Sequence, residues 1–286
     1  MYREKNKMKE KKILNGKDLS KSIIDALKLE VKSLKRLPSL RIILVGNDTA
    51  SQIYTGKKVQ IANEIGIEAK IINFPDSVSF IELKSEILKM NLDRNISGII
   101  VQLPLPKHLN AIEICNLISP KKDIDGLCFE NVGKLALGCE GYFHKPCTPS
   151  GIMTLLDSYK INLEGKKCLI LNRSNIVGKP LFQMLLAKNA FVKIAHRKVL
   201  DPEISSSDAI FSAVGVPNFI KPEMIKSGCV LIDIGISRDK DEKICGDIDP
   251  RCAEIASFMT PVPGGIGPMT IASLMKNLVN CVKYFD

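Results

Sequence analysis

Three polar side chains follow an early apolar run at helical spacing. Residues 41–45 predict a buried strand that ends at Gly46, and Ser51, Tyr54 and Lys58 come next at intervals of three and four residues. Side chains at these intervals lie on one face of a helix. A lysine and a tyrosine on one face are a candidate pair for acid–base work, although an isolated pair of this kind is more often a solvated helix surface.

A second strand end adds a glutamine and an acid. Residues 98–102 predict a buried strand that ends at Gln102. Ligands of open parallel sheets bind beyond the carboxyl ends of the strands, so Gln102 and Lys58 are expected at one edge. Asp125 is the acid expected to meet them from the following loop, or else a turn former, as Asp-Gly pairs usually are. Asp123 is the more ordinary capping residue of the two. A lysine beside a carboxylate and other polar groups is suited to proton exchange.

A turn in the second half of the chain is typical of dinucleotide sites. Residues 169–171 form an apolar run of strand length, and Asn-Arg-Ser-Asn-Ile-Val-Gly-Lys-Pro follows at 172–180. Gly178 lets a helix pack closely on the sheet, and Pro180 suits a first helical turn, where its missing N–H costs nothing. The turn lacks the full G-x-G-x-x-G pattern, so by itself it is more often an ordinary turn.

The next predicted strand indicates which dinucleotide is preferred. Residues 191–195 form this strand, and His196, Arg197 and Lys198 follow it. An NAD site usually has an acidic residue here for the ribose 2′-hydroxyl, whereas a basic strand end favours the 2′-phosphate of NADP. The sequence therefore predicts NADP as the cofactor.

Two successive α/β domains are needed to position these residues. Predicted strands and helices alternate, which favours parallel sheets. The strands are placed at 41–45, 68–74, 98–102, 169–171, 191–195, 209–214 and 230–234, and the helices include 49–64, 79–90 and a terminal helix at 269–284. A turn-rich stretch at 121–149 precedes the domain boundary, since its last part, Pro-Cys-Thr-Pro-Ser-Gly at 146–151, is not expected to continue a strand or helix. A glycine- and proline-rich loop is expected at 260–268.

Composition excludes several classes of protein. The 286 residues suffice for two domains, and 45% hydrophobic and 25% charged residues are ordinary for a globular chain. No apolar stretch reaches the roughly 18 residues of a membrane span. The nine cysteines include no C-x-x-C pair, which predicts reduced thiols and a cytoplasmic location. The three histidines are far apart in the sequence, so no metal site is predicted. Residues 1–12 are expected to be unstructured and not a signal peptide, and Met8 is an alternative start.

The net charge of +10 is compatible with two kinds of partner. Nucleic acid is one, but aromatic residues are only 5% of the chain and the lysines are scattered rather than clustered. A phosphorylated cofactor and a polycarboxylate substrate account for the charge equally well, because both are drawn to a basic surface.

Six motifs, taken in chain order, resemble one enzyme family. They are Ser51-Gln-Ile-Tyr54 with Lys58, Val101-Gln-Leu-Pro-Leu-Pro106, Lys122-Asp-Ile-Asp-Gly126, Pro146-Cys-Thr-Pro149, the turn at 172–180 and Thr260-Pro-Val-Pro-Gly-Gly-Ile-Gly-Pro-Met-Thr270. Together they closely resemble the bifunctional methylenetetrahydrofolate dehydrogenase/methenyltetrahydrofolate cyclohydrolase family, over about residues 13–284.

The resemblance implies two α/β domains with a cleft between them. The first, at 1–149, is a catalytic folate-binding domain completed by a C-terminal helix at 270–286, and the second, at 150–269, is a Rossmann-type NADP-binding domain. The implied reactions are oxidation of 5,10-methylenetetrahydrofolate with NADP and hydrolysis of the methenyl product to 10-formyltetrahydrofolate, in one-carbon metabolism and purine biosynthesis. The implied state is a cytoplasmic homodimer with no nucleic-acid or membrane partner.

The resemblance also assigns roles to individual residues. Lys58 is the essential catalyst, Gln102 assists it, Tyr54 packs against the folate rings, Asp125 holds the pterin, and Ser51 belongs to the same pocket. The residues expected to border folate and nicotinamide are Pro263, Gly264 and Gly265. The residues expected to bind the cofactor are Asn172, Arg173, Ser174, Gly178, Arg197, Gly215 and Ile236.

The chain departs from the family pattern in two places. Asn172 stands where the family usually has glycine, and it adds a side chain where the cofactor approaches the backbone, although asparagine tolerates positive φ well. Val199 replaces a hydroxyl residue often found near that position. Both changes are expected to affect cofactor binding.

Three other interpretations compete with the family. A short-chain dehydrogenase also uses Y-x-x-x-K, but its dinucleotide turn precedes that pair, whereas here it follows. An NADP oxidoreductase of the shikimate dehydrogenase type has the same domain order but lacks the terminal Pro-Gly-Gly-Ile-Gly-Pro motif. A basic nucleic-acid-binding protein is the alternative from another class, and its binding would depend steeply on salt.

Overall fold

The chain forms two compact units in a computed structural model that describes residues 13–196, 198 and 201–285. The first unit consists of Lys21–Cys147 together with the chain from Ile271 onwards. The second unit consists of Thr148–Thr270 together with the N-terminal segment up to Ser20. The three boundaries fall inside three helices, Gly16–Val31, Cys147–Ser158 and Ile266–Phe285, so each of these helices contributes to both units.

The first unit is built on a three-stranded parallel sheet. Its elements are α1 (Gly16–Val31), β1 (Ser39–Val45), α2 (Thr49–Glu64), β2 (Glu68–Phe74), α3 (Phe80–Leu92), β3 (Gly98–Val101), α4 (Ala111–Cys115) and α5 (Phe129–Ala136). The strand order is β2-β1-β3, so β1 is central and its two neighbours lie on opposite sides. Loops that leave adjacent strands in opposite directions open a crevice at the carboxyl ends of β1 and β3.

The central strand explains why this unit folds around it. Leu40 and Ile42 pack with residues of α1 and α2 on one face, whereas Ile43 and Val45 pack with residues of α3 and α4 on the other. A strand buried on both faces needs an apolar run rather than strict alternation, and β1 has such a run. The sheet is therefore sandwiched between two helical layers.

The second unit contains a five-stranded parallel sheet. Its elements are α6 (Cys147–Ser158), β4 (Lys167–Leu171), α7 (Gly178–Leu186), β5 (Phe191–Ala195), α8 (Asp201–Ser205), β6 (Ala209–Ser212), β7 (Val230–Asp233), β8 (Ser237–Arg238), β9 (Ile244–Cys245) and β10 (Phe258–Met259). The last helix, α9 (Ile266–Phe285), begins in this unit and belongs to the first unit from Ile271 onwards. The strand order is β10-β7-β6-β4-β5, and β8 and β9 form a separate antiparallel pair. The order reverses between β4 and β6, which makes this unit a doubly wound, Rossmann-like domain.

The predicted α/β class with parallel sheets is confirmed, and most predicted elements lie within two residues of the observed ones. Two loop predictions are wrong. Helix α6 begins at Cys147, inside the stretch expected to break regular structure, and α9 begins at Ile266 rather than at 269. Each helix carries proline in its first turn, Pro149 and Pro268, where no intrahelical N–H bond is lost. Helix α5 also lies inside the predicted turn-rich stretch.

The N-terminal segment groups with the second unit, whereas the sequence placed it in the first. The Leu14 N–H donates to the Met259 carbonyl at 2.9 Å, and the Lys17 N–H donates to the Gly264 carbonyl at 2.8 Å. These main-chain bonds join segments about 245 residues apart, which a local pattern does not reveal. Residues 1–12, predicted to be unstructured, lie outside the described residues.

Several properties of the described residues bear on function. None of their helices is both long and apolar enough to cross a membrane. No three histidine, cysteine, aspartate or glutamate side chains among them are grouped to hold a metal ion. The nine cysteines, all of them at described positions, are free.

A buried histidine anchors the end of the chain in the first unit. His144 has no exposed surface, and its Nδ1 lies 3.1 Å from the Tyr142 hydroxyl while its Nε2 lies 2.9 Å from the Lys121 carbonyl. The Tyr142 ring stacks on Tyr284 of α9, with centroids 4.4 Å apart. Burial lowers the pKa of His144 to about 4, since the charged ring would lose its hydration.

We expect His144 to lower the stability of the protein in acid. Below pH 6.5 the unfolded chain binds a proton at His144 that the folded chain does not bind until about pH 4, so the contribution of this group to the free energy of unfolding falls by about 3 kcal/mol across this window. The buried carboxyl groups of Asp123 and Asp233, whose pKa values are raised to about 6 and about 7, act in the opposite direction, so the effect of His144 is read from the difference between its variant and the unmodified protein. Urea unfolding at pH 7 and pH 4.5 measures the loss. His144→Gln should reduce the loss and the exposed control His108→Gln should not; equal losses in all three proteins would contradict the assignment.

Candidate active sites

Helix α2 has a buried face that is mostly polar. Asp48 caps the N-terminus of the helix, and its carboxylate accepts a hydrogen bond from the Ser51 N–H at 2.7 Å. Its buried residues are Ser51, Thr55, Lys58 and Ala62. A helix that packs on a sheet ordinarily buries an apolar stripe, so three polar side chains in this position indicate a site rather than packing alone. The predicted common face of Ser51 and Lys58 is confirmed.

Lys58 is the central group of this face. Its side chain is buried, the Nζ atom donates to Gln102 Oε1 at 3.1 Å, and it lies 4.9 Å from the centroid of the Tyr54 ring. The Gln102 Nε2 donates to the Leu103 carbonyl at 2.7 Å, which orients the amide so that its oxygen faces the lysine. A buried ammonium group is thus held by one amide oxygen and one aromatic face.

The structure adds Cys147 to this site; in the sequence it was part of a boundary and family motif and had no role of its own. Its buried thiol donates to the Ile124 carbonyl at 3.3 Å and also contacts the Asp125 carboxylate, and the charges of Asp125 and Lys58 both act on it. Burial, followed by the charge of Asp125, raises the pKa of this thiol well above its usual value. Asp125 therefore lies beside a neutral thiol that is also within the field of Lys58.

Asn277 of α9 completes the surroundings of Cys147. Its Nδ2 donates to the carbonyls of Ile124 and Lys145, at 2.8 and 3.0 Å, and lies 3.7 Å from Cys147 Sγ. This residue is more than 100 positions away from the others. No motif in the sequence pointed to it, because an asparagine that follows Lys276 in a helix resembles a surface residue.

Asp123 has the structural role expected of it. Its buried carboxyl group accepts hydrogen bonds from the Cys128 N–H at 2.8 Å and from Asn131 Nδ2 at 2.9 Å. Burial raises its pKa to about 6, although these donors favour the charged form. It holds the loop that carries Asp125.

In the second unit, the turn after β4 is held by the side chain of Asn172. Its Oδ1 accepts hydrogen bonds from the Ser174 N–H at 2.9 Å, the Ser174 hydroxyl at 2.6 Å and the Gly178 N–H at 3.1 Å. Its Nδ2 donates to the Ala213 carbonyl at 2.8 Å, across the point where the strand order reverses. The amide oxygen therefore occupies the Ser174 N–H in the turn and the Gly178 N–H at the start of α7, which a phosphate would otherwise use.

The other predicted cofactor residues lie at the same carboxyl edge. A Cβ at Gly178 would lie 2.0 Å from the Asn172 carbonyl oxygen, so only glycine permits this close packing. Gly215, after β6, has a φ of +71° and open space beside it. Ile236, after β7, is an exposed apolar side chain. Arg173 is exposed and Ser174 is half-buried in the turn itself, and Arg197 lies outside the described residues.

The residues predicted to border folate and nicotinamide also belong to the second unit. Gly264 has a φ of +108°, and its carbonyl accepts the Lys17 N–H. A Cβ at Gly265 would lie 2.6 Å from the Pro261 carbonyl oxygen, so this position requires glycine. Pro263 is exposed in the same loop. The loop is thus held by close backbone contacts and leaves its proline accessible.

These observations fit a nicotinamide dinucleotide at the second unit. The glycine-backed turn, the start of α7 and the open space at Gly215 together form a cradle at the reversal point of a doubly wound sheet. The first unit places a buried lysine and a glutamine at the corresponding point of its own sheet. The chain therefore has the features of a dinucleotide-dependent enzyme with a separate polar catalytic site.

Comparison with known proteins identifies the family. Residues 14–125 match the catalytic domain of tetrahydrofolate dehydrogenase/cyclohydrolase, and residues 146–286 match the NAD(P)-binding domain of the same family. The bifunctional protein FolD of Acetivibrio thermocellus is 45% identical over 280 residues, covering 96% of this chain and 98% of that protein.

Solved structures agree with this match. The bifunctional enzyme FolD of Campylobacter jejuni is 40% identical, with a TM-score of 0.93 over 96% of this chain and 99% of that chain. The methylenetetrahydrofolate dehydrogenase-cyclohydrolase of Trypanosoma brucei, complexed with NADP cofactor and inhibitor, is 31% identical, with a TM-score of 0.90 over 95% and 97% of the two chains. The chain belongs to the tetrahydrofolate dehydrogenase/cyclohydrolase family, which favours the predicted enzyme over the shikimate dehydrogenase and nucleic-acid-binding alternatives.

We expect Asn172→Gly to raise the affinity for the nicotinamide dinucleotide. The substitution frees the N–H groups of Ser174 and Gly178 for the cofactor phosphates, and one hydrogen bond of about 1 kcal/mol corresponds to roughly fivefold in the dissociation constant. Calorimetric titration of the purified protein measures the change.

The matched control is Asn175→Gly, which removes a side chain from the same turn. Asn175 accepts only an exposed hydrogen bond from Lys179 Nζ, so this control introduces the flexibility of glycine without freeing main-chain donors. Unchanged affinity in Asn172→Gly would mean that the asparagine is accommodated beside the phosphates, and weaker affinity would mean that its hydrogen bonds build the turn.

Proposed function

We propose that this chain oxidises 5,10-methylenetetrahydrofolate with NADP and hydrolyses the methenyl product to 10-formyltetrahydrofolate, with Lys58 as the group that exchanges protons. Membership of the tetrahydrofolate dehydrogenase/cyclohydrolase family supports both activities. The observation that supports the role of Lys58 is its burial on a polar helix face, with Gln102 and Tyr54 as neighbours.

The hydrolysis requires a proton to move twice. Water adds to the methenyl carbon and gives up both of its protons: one is released, and the other is transferred to the ring nitrogen as the bond from that nitrogen to the carbon breaks and the C=O bond forms. A positioned acid–base group typically contributes roughly a hundredfold to ten-thousandfold to such steps. Lys58 Nζ is suited to both transfers, since the Gln102 oxygen holds one of its N–H groups and leaves the others for substrate and water.

The oxidation makes different demands on the protein. NADP, when bound, supplies the hydride acceptor, and no proton has to pass in that step. The chain's contribution is alignment of the two reactants. Asn172, Ser174, Gly178 and Gly215 are proposed to hold the dinucleotide at the carboxyl edge of the second sheet, and Arg173, Arg197 and Ile236 to flank it.

The remaining roles follow the same assignment. Tyr54 is proposed to pack against the folate rings, Asp125 to hold the pterin and Ser51 to line the same pocket. Pro263, Gly264 and Gly265 are proposed to border folate and nicotinamide. The proposed domains are residues 1–149 together with 270–286 for folate and residues 150–269 for NADP. The contacts of residues 13–20 favour placing this short segment with the second domain instead.

Two parts of the proposal concern the protein in the cell. A cytoplasmic location is supported by the nine free cysteines, since disulfides are rare in reducing compartments. A homodimer is proposed from the family resemblance alone, as is the lack of a nucleic-acid partner. The proposed substrate is a tetrahydrofolate derivative.

We expect Lys58→Met to separate the two activities. Methionine keeps much of the packing of the lysine stem and removes the exchangeable protons, so cyclohydrolase activity should fall by roughly a hundredfold to ten-thousandfold while dehydrogenase activity survives in part. Methenyltetrahydrofolate should then accumulate, and its absorbance follows the reaction directly.

Lys57→Met is the matched control for this variant. Lys57 is exposed on the same helix, so the control makes the same change in charge and chain without touching the site. Two intact activities in Lys58→Met would remove Lys58 from the mechanism. Equal loss of both activities would show that it mainly positions the folate.

We expect NADP to be preferred over NAD by about tenfold to a hundredfold, the effect of one charge-assisted hydrogen bond to the 2′-phosphate. The ratio of the two kcat/KM values measures the preference.

Arg197→Asp should weaken the binding of NADP and leave the binding of NAD unchanged. Lys166→Asp, an exposed site before β4 at the opposite sheet edge, makes the same charge change as a control. Comparable efficiency with both cofactors in the unmodified enzyme would refute the prediction.

A further inference from the structure

Two buried carboxyl groups lie next to the carboxyl edge of the second sheet, where NADP is proposed to bind. Asp233 ends β7, and Asp247 follows β9, and the two residues are 2% and 0% exposed. The family motifs found in the sequence include neither residue. Buried carboxyl groups are costly unless their oxygens are fully hydrogen-bonded, so their partners indicate what they do.

Asp247 binds the loop that follows β6. Its Oδ2 accepts hydrogen bonds from the Ser212 hydroxyl at 2.9 Å and the Val214 N–H at 2.6 Å, and its Oδ1 accepts one from the Val216 N–H at 3.0 Å. Val214 and Val216 are the two neighbours of Gly215 in the chain. The carboxylate therefore fixes the backbone on both sides of the glycine, whose φ is +71°.

Asp233 binds the segment that carries Asp247. Its Oδ1 accepts hydrogen bonds from the Asp247 N–H at 3.0 Å and the Gly235 N–H at 3.1 Å, and its Oδ2 accepts one from the Ile248 N–H at 2.8 Å. Burial, with a contribution from the charge of Asp247, raises the pKa of Asp233 to about 7. Gly235 directly precedes Ile236, so this carboxyl group also fixes the loop after β7.

Two glycines make this arrangement reciprocal. A Cβ at Gly235 would lie 2.2 Å from Asp247 Oδ1, and a Cβ at Gly246 would lie 2.1 Å from Asp233 Oδ2. Each carboxyl group thus lies against a glycine of the other segment, where any side chain would displace it. We call Asp233, Gly235, Gly246 and Asp247 the aspartate–glycine clasp.

We propose that the aspartate–glycine clasp positions the loops of Gly215 and Ile236 for NADP, with Asp247 as the positioning residue. This inference rests on the proposed NADP site. A clasp needed only for packing would not require two carboxyl groups, since apolar residues fill a core at lower cost. Here the partners are five backbone N–H groups and one hydroxyl, all on segments at or next to the carboxyl edge.

Asp247→Asn tests the proposal with almost no change in shape. An amide has one acceptor oxygen, so in either orientation its NH₂ group faces a main-chain N–H beside Gly215. We expect the NADP dissociation constant, measured by calorimetry, to rise about tenfold, the effect of one unsatisfied buried donor.

Asp249→Asn is the control for this variant. Asp249 lies two residues further along the chain and pairs with Arg251 at 2.6 Å. Its NADP dissociation constant should stay within about twofold of that of the unmodified protein.

A double-mutant cycle separates positioning from general destabilisation. Gly235→Ala should also raise the NADP dissociation constant, because its methyl group displaces the Asp247 carboxylate. Once Asp247→Asn has already loosened the clasp, adding Gly235→Ala should have a smaller effect than it has alone. Additive effects on NADP binding would contradict the clasp, as would a dissociation constant unchanged in Asp247→Asn.

Two further measurements distinguish a weakened NADP site from a protein that does not fold. Cyclohydrolase activity uses no dinucleotide and reports whether each variant is folded. If Asp247→Asn does not fold, Ser212→Ala removes only one of the three hydrogen bonds and should raise the NADP dissociation constant about threefold; no rise there would overturn the proposal. Absence of NADP binding in the unmodified protein would instead refute the proposed function.

Discussion

Both units of this protein depend on one property of parallel sheets: every strand ends at the same edge. Where the strand order reverses, between β1 and β3 in one unit and between β4 and β6 in the other, the following loops diverge and leave a crevice. Lys58, Gln102, Asn172 and Gly215 lie on the segments that follow these four strands. The rest of each unit, the apolar strands and the helices on their faces, holds these edges in place.

The two crevices differ in the polar groups that they bury. In the first unit a buried ammonium group is stabilised by an amide oxygen and an aromatic ring, without a close carboxylate partner among the described ion pairs. In the second unit, main-chain N–H groups are shared between a cofactor site and the chain's own side chains, since Asn172 and Asp247 accept them. The first crevice thus holds a buried cation, whereas in the second crevice side chains fix the backbone in one conformation.

Local patterns predicted a large part of this architecture. The observed bounds of α2 and β2 equal the predicted ones, because turn and capping residues delimit both elements, Gly46 to Asp48 before α2 and Gly66 between α2 and β2. The first turns of α6 and α9 were predicted to be loop, since proline was treated as a breaker when it lies in a first turn. The attachment of the N-terminal segment to Met259 and Gly264 was missed because a main-chain bond between distant segments leaves no periodic signal.

The sequence by itself determined the α/β class, the NADP-type turn and the common face of Ser51 and Lys58, because these depend on spacing along one element. The pairing of Lys58 with Gln102 followed from strand ends alone. Only the tertiary structure placed Cys147 and Asn277 beside Asp125, turned Asn172 back onto Gly178 and closed the clasp of Asp233 on Asp247. These contacts join residues of different elements or across a turn, and their geometry is decided by packing that no single stretch of sequence encodes.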